Sequence, residues 1–204
     1  MKVIWLGSIK YDLGLISQQE AWEETCRDQE VRILGCEHPA VITLGKRADV
    51  SIDLKTETDI PIIATDRGGQ ATLHNSGQLV IYPVVPLRAL NVGVKDFVNI
   101  LLNVSQEFLL QEFSIETRHD ERGAGLFTST GKIVFCGLRI EKGVSRHGIS
   151  INIKNDLNQF AVIRSCGSFD NKLDSVINHA QQELRIDQLF LKWVEIYKRR
   201  SHWK

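Results

Sequence analysis

Three separated segments hold the residue types of a cysteine-based acyl transfer: Arg67-Gly68-Gly69-Gln70-Ala71-Thr72-Leu73-His74, Gly131-Lys132-Ile133 and Ser165-Cys166-Gly167. A thiolate attacks carbonyl carbon, and it forms near neutral pH only where the cysteine is accessible and a cation lies close by. Cys166 stands in a polar run, and Gly167 beside it leaves room for a carbonyl and frees a backbone N–H. Cys136, in Val134-Phe135-Cys136-Gly137, has the apolar neighbours of a packing thiol. Desolvation disfavours a charged ammonium, so a lysine that opens an apolar strand, as Lys132 does, can serve as a base if it faces a pocket. The Gly68-Gly69 pair lets backbone approach a ligand closely, and Thr72 and His74, two residues apart, share one strand face. Each feature also has an ordinary reading: an inert thiol, an exposed lysine at a strand start, a hairpin with a surface histidine.

Positioning these segments falls to a mixture of strands and helices. Val3–Leu6, Val31–Cys36, Ala40–Leu44, Ile62–Ala64, Leu79–Val85, Lys132–Ile140 and Gly148–Ile153 read as strands, several joined by short turns. Pro83 places its strand at a sheet edge or a bulge, because proline cannot donate to the ladder. Helices are expected over about 13–29, over 94–113, where apolar residues follow helical spacing, and after Asn171, where Ile186, Leu189, Phe190, Trp193, Ile196 and Tyr197 form a stripe. Few helices and many short turns predict an α+β fold: a mixed, mostly antiparallel sheet with flanking helices, in one domain over residues 1–204.

Composition narrows the function classes. Of 204 residues, 25 are basic and 25 acidic, so the basic excess of a nucleic-acid binder is missing and no nucleic-acid partner is expected. The most apolar run, Leu79–Leu87, is too short to span a bilayer, which needs roughly 18 residues, and two prolines break it. With no signal-peptide pattern and four cysteines lacking any CxxC spacing, the expected location is the reducing cytoplasm, away from membranes. Cys36 and His38 share a strand face, yet no second pair at zinc spacing follows, so no metal is expected. Neither a Walker A loop nor a GxGxxG turn follows a strand.

RGGQATLH followed by Asn75-Ser76-Gly77-Gln78, together with GKIVFCG, RHGISINI and SCG, resembles the lipoyl(octanoyl) transferases, and Glu37 to Gly45 is similar to that family too. The likeness runs from about Glu37 to Gly167 in the family's order. It implies the fold of the biotin and lipoate protein ligase catalytic domain, with Cys166 as acyl-thioester nucleophile and Lys132 as its general base. Substrate would be bound by Arg67, Gly68, Gly69, Gln70, Ala71, Thr72, Leu73 and His74, with Phe135, Cys136, Gly137, Gly148, Ile149 and Ser150. The implied donor is octanoyl-acyl-carrier protein. The implied acceptors are lysines on the lipoyl domains of 2-oxoacid dehydrogenase complexes and on the glycine-cleavage H protein. Thioester to amide is downhill, so neither ATP nor a cofactor is implied. Two alternatives share the fold: an ATP-dependent lipoate ligase, and a non-catalytic relative that only binds carrier or lipoyl domains. Because carrier proteins are acidic, Lys46, Arg47, Arg139, Lys142 and Arg146 are expected to form a basic patch near the pocket. The chain departs from the family pattern where His-Gly-Pro-Gly-Gln reads His74-Asn75-Ser76-Gly77-Gln78, and at Leu73, Phe127, Ser165 and Ser168.

Overall fold

Alternation along Gln78–Val84 shows how the layers are built. Leu79 and Ile81 join a core that includes Ile33, Ile149, Phe97, Phe108 and Trp193, whereas Val80, Tyr82 and Val84 pack with Ala21, Trp22 and Leu34. Successive side chains leave a strand on opposite faces, so this strand is covered by helices on both sides. The computed structural model describes residues 1–119, 125–164, 172–180 and 183–201. Strands β1 (Lys2–Ser8), β2 (Arg32–Glu37), β3 (Val41–Leu44), β4 (Ile62–Ala64), β5 (Ala71–His74) and β6 (Gln78–Val84) are followed by β7 (Arg118–His119), β8 (Gly125–Phe127), β9 (Lys132–Glu141) and β10 (Val144–Asn152). Helices are α1 (Tyr11–Asp28), the short α2 (Val50–Asp53), α3 (Val94–Phe113) and α4 (Ile186–Arg200).

Seven strands make a large sheet in the order β1-β2-β6-β10-β9-β8-β7, and β4-β3-β5 form a small one. Among the described strands only β1/β2 and β3/β4 pair in parallel. The fold is therefore α+β and mostly antiparallel. Helices α3 and α4 cover one face of the large sheet, tied together by Trp193 Nε1–H donating to Ser105 Oγ at 3.0 Å. Helix α1 covers the other face, and Trp22 Nε1–H reaches the Glu141 carbonyl at 3.3 Å. The small sheet keeps its own core, Ile42 and Leu73 with Phe135, Phe160 and Ile163. Among the described residues no helix is long and apolar enough to cross a membrane.

Two expectations need correction. Pro83 lies on a central strand, not an edge: β6 sits between β2 and β10 and pairs Pro83 with Ile33. The missing N–H is accommodated by a local break in which β10 pairs with β6 from Ile149 to Asn152, then leaves it. His147 there takes a left-handed φ of 56° and gives its N–H to Gln18 Oε1 at 2.9 Å. A Cβ on Gly148 would lie 2.0 Å from the Ile81 carbonyl oxygen, so only glycine passes. Contact resumes at Ser145, whose Oγ donates to the Pro83 carbonyl at 2.6 Å and accepts from Val85 N–H at 2.9 Å. The helix expected after Asn171 starts only at Ile186, because residues 172–174 run alongside Lys132 instead.

Gly35 of β2 faces Phe190 of α4, and a Cβ there would meet the ring at 2.5 Å. Phe190 is fully buried and cannot yield cheaply. The Gly35→Ala variant should lose about 1–3 kcal/mol, the usual cost of overpacking, read as a lowered urea midpoint at unchanged m-value.

Candidate active site

Strand β4 feeds into the Arg67-Gly68-Gly69 turn, and a single guanidinium holds that turn together. Arg67, 7% exposed, donates to the Thr43 carbonyl at 2.6 Å, Thr43 Oγ1 at 2.9 and 3.1 Å, the Gln70 carbonyl at 2.7 Å and the Gly68 carbonyl at 3.0 Å. A planar fork with five N–H donors can do this; a lysine cannot. The turn is laid on the large sheet where Gly68 N–H donates to the Leu138 carbonyl at 2.9 Å. Gly69 takes a φ of 92°, and a Cβ on Gly137 would be 3.0 Å from the Gly68 oxygen.

Between turn and sheet runs a slot. One wall is a length of the β9/β10 ladder, with Phe135 opposite Ser150, Cys136 opposite Ile149 and Gly137 opposite Gly148. The facing wall is Arg67 to Thr72 and His74. Lys132 lines the slot as well. All the expected site residues of the described chain meet here except Leu73, which alternates to the opposite face of β5 and packs with Ile42 in the small-sheet core. Cys166, with Ser165 and Gly167, lies outside the described residues. Tyr11, Val80, Tyr82 and His147 complete the lining and were not anticipated. The signal for Val80 and Tyr82 was the period of two on β6, which puts them opposite Leu79 and Ile81. Tyr11 carried no such signal.

Lys132 is buried, at 2% exposed, rather than sitting exposed at a strand start. Its Nζ lies 5.5 Å from the Phe127 ring centroid and 5.1 Å from that of Phe135, within cation–π reach. Gly125 makes the space, since a Cβ there would stand 2.5 Å from Lys132 Cε. The backbone is fixed on its other side: Lys132 N–H donates to the Lys172 carbonyl at 2.8 Å and its carbonyl accepts from Asp174 N–H at 3.0 Å. Asp174 anchors that strip by accepting from Thr128 at 2.5 Å, from His179 at 2.7 Å, from Asn178 at 2.9 Å and from Thr130. Burial alone would raise the Asp174 carboxyl, but these hydrogen bonds outweigh it and hold it well below the usual range.

Many of the remaining polar groups around the slot bond one another. His74 Nδ1 meets Gln78 Oε1 at 2.7 Å, Gln78 Nε2 donates to Asn152 Oδ1 at 2.9 Å, and Asn155 Nδ2 donates to Asn75 Oδ1 at 3.0 Å. Asn75 in turn donates to the Asp156 carbonyl at 2.8 Å. So the turn after His74, where the expected Gly-Pro is Asn75-Ser76, is held by side-chain amides. His38 gives Nδ1–H to the Ile9 carbonyl at 2.8 Å and takes the Tyr82 hydroxyl at 2.7 Å on Nε2, 3.3 Å from Cys36 Sγ. Cys36 and His38 are thus occupied with each other and Tyr82, and among the described residues no group of three ligand side chains could hold a metal. Burial pushes the Cys136 thiol up to about 12 and the Cys36 thiol higher still, while Cys26 is raised too, so none of the described cysteines is a thiolate near neutral pH.

Residues 15–197 match the family model described as the lipoyl protein ligase A/B catalytic domain. The chain belongs to that family. An octanoyltransferase of Persephonella marina is 34% identical over 197 residues, 96% of this chain and 95% of that protein. Among solved structures, a bipartite lipoate protein ligase from Thermoplasma acidophilum matches with a TM-score of 0.70 at 13% identity, over 98% of this chain and 83% of that one. The biotin protein ligase of Aquifex aeolicus with biotin and ATP gives a TM-score of 0.61 at 12% identity, over 98% and 69%. The fold is theirs, and the chain is an acyltransferase of the lipoyl protein ligase family.

Four of the residues expected to form a basic patch lie near the Arg67 turn. The backbone N–H groups of Lys46 and Arg47 bond the Arg67 and Gly69 carbonyls while both residues stay exposed, and the Arg139 and Arg146 side chains lie 3.8 and 3.7 Å from Asp66. These four gather round the turn, at the end of the slot away from Lys132, and Lys142 lies over the Trp22 ring instead.

Three histidines border or support the slot, and all are held neutral. Burial lowers His74 to about 3 and also lowers His38 and His147, the latter against the pull of Asp66. Their unfolded values lie near 6.5, so below that pH the unfolded chain binds protons that the folded one refuses. Stability is full above about pH 6.5 and falls with pH from there towards 3, by at most about 1.4 kcal/mol per pH unit for each histidine. Urea midpoints at pH 7.5 and 5.0 should show this loss, and His74→Gln should reduce it.

Proposed function

We propose that the protein transfers an octanoyl group from octanoyl-acyl-carrier protein to lysines of lipoyl-domain proteins through a thioester on Cys166. The acceptors of this reading are the lipoyl domains of 2-oxoacid dehydrogenase complexes and the glycine-cleavage H protein, and its setting is the cytoplasm. The observation that carries it is Lys132, a lysine buried at one end of a slot whose length is walled by Phe135, Ile149, Val80 and closely packed glycines. Two further facts support it. Every described cysteine is held as a thiol, and Cys166 is only six residues before Lys172, whose carbonyl bonds the Lys132 backbone. The octanoyltransferase relative, matched along nearly its whole length, supports the acyl group.

In the first half-reaction the Cys166 sulfur attacks the thioester carbonyl carbon. The new C–S bond forms as the bond to the carrier's sulfur breaks, and the carrier leaves as a thiol after taking the proton that Cys166 gave up. In the second, the acceptor lysine's amine attacks the acyl-enzyme, an amide forms, and Cys166 is released. Lys132 holds the proton between these events. The acyl chain lies in the slot, each buried methylene contributing about 0.8 kcal/mol. The first half exchanges one thioester for another at little free-energy change, and the downhill step from thioester to amide drives the second, so ATP has no part.

Intact mass after mixing the protein with octanoyl-carrier protein should show one octanoyl group added to wild type and none to Cys166→Ser. Lys132→Ala should slow transfer by roughly 100- to 10,000-fold, the range for a lost general acid–base group. Transfer that needs ATP and free octanoate, with no adduct from the carrier, would replace this reading with a ligase.

A further inference from the structure

At the end of the slot remote from Lys132 the lining stops at one side chain, His147. Lys132 and Gly137 are five positions apart on β9, about 17 Å of strand. Past the Gly137–Gly148 pair comes Leu138 opposite His147, and the next pair, Arg139 with Arg146, no longer lines the slot. His147 is 2% exposed and turned by the left-handed φ of 56° that the break beside Pro83 imposes. Its Nε2 lies 2.6 Å from Asp66 Oδ1, and Arg139 and Arg146 stand behind that carboxylate. From the opposite side Gly68 crosses onto Leu138. The imidazole is therefore clamped across the end of the slot rather than free to swing.

We propose that His147 is the specificity-determining residue that limits acyl-chain length, by walling the slot at the end remote from Lys132. The inference rests on the reading that an acyl chain starts at Lys132 and runs along β9. Chemistry of the wall suits the role. His147 Nδ1, inaccessible, has no hydrogen-bond partner among the described residues. A methylene pressed against such a group gives it nothing and pays to displace the ring. A non-glycine residue in a left-handed conformation is also costly to keep, which marks the position as one where the side chain matters. Glycine there would relieve the backbone while removing the wall, so His147→Gly is expected to fold. Asp66 keeps its two arginines in that variant.

Dissociation constants of octanoate and decanoate for the intact protein test this directly. Wild type should gain nothing from the two extra methylenes. His147→Gly should shift the decanoate-to-octanoate preference towards decanoate by up to about 15-fold, the value of two buried methylenes. His147→Asn, which tolerates the same backbone and is shorter, should fall between. An unchanged ratio in both folded variants overturns the proposal. The acyl-adduct experiment is separate: failure of wild type to take octanoyl on Cys166 would undo the reaction scheme, while the ratio of the two acids would still decide whether His147 is the wall.

Discussion

Gly68 laid across β9, with its N–H on the Leu138 carbonyl at 2.9 Å, sets the distance between the two sheets. Everything at the site follows from that spacing. It is reached because four glycines meet there: a Cβ on Gly137 would sit 3.0 Å from the Gly68 oxygen, and one on Gly45 would sit 2.4 Å from the Gly69 oxygen. Arg67 then locks the turn from within by spending its donors on Thr43, Gln70 and Gly68. Arg67 is a brace, and the surface that lines the slot is what it holds in place.

Much of the architecture could be read from the chain, and the exceptions share a cause. Helix α3 was legible because its apolar residues keep one period over twenty residues, and β4 because turn signals bound it closely. Pro83 misled because a local rule about donors was applied without knowing that β10 could let go at His147 and return at Ser145. Leu73 was drawn into the site by its neighbours Thr72 and His74, though strand alternation sends it the other way. Tyr11 could not be found at all. Its place in the slot depends on how α1 lies on the sheet, a tertiary fact with no short-range signature. The motif residues themselves converged, since glycine pairs and a lysine within an apolar strand are costly to keep without a reason.

The slot is lined in part by histidine and tyrosine, yet it behaves as a dry surface. Tyr11 stacks on His74 with ring centroids 5.8 Å apart, and His38 meets both edge-on. Burial keeps the imidazoles neutral and raises the Tyr11 phenol to about 12. Their polar atoms are largely taken up by each other and by backbone carbonyls. With these rings neutral, that part of the wall would offer an alkyl chain ring faces and edges without asking it to strip water from an ion.

Several of the ties that build this site are long in sequence. Asp66 reaches His147 across 81 residues, Asn75 reaches Gln159 across 84, and Lys132 depends on a strip forty residues downstream. Contacts of such high order form only after extensive loop closure, so they come late in folding. A chain still emerging from synthesis can complete β1 to β6, and with them the Arg67–His74 wall, and still lack Lys132 and the facing β9/β10 wall. Competence to hold an acyl chain thus arrives together with the finished fold, and a reactive thioester has no partly built pocket in which to be trapped.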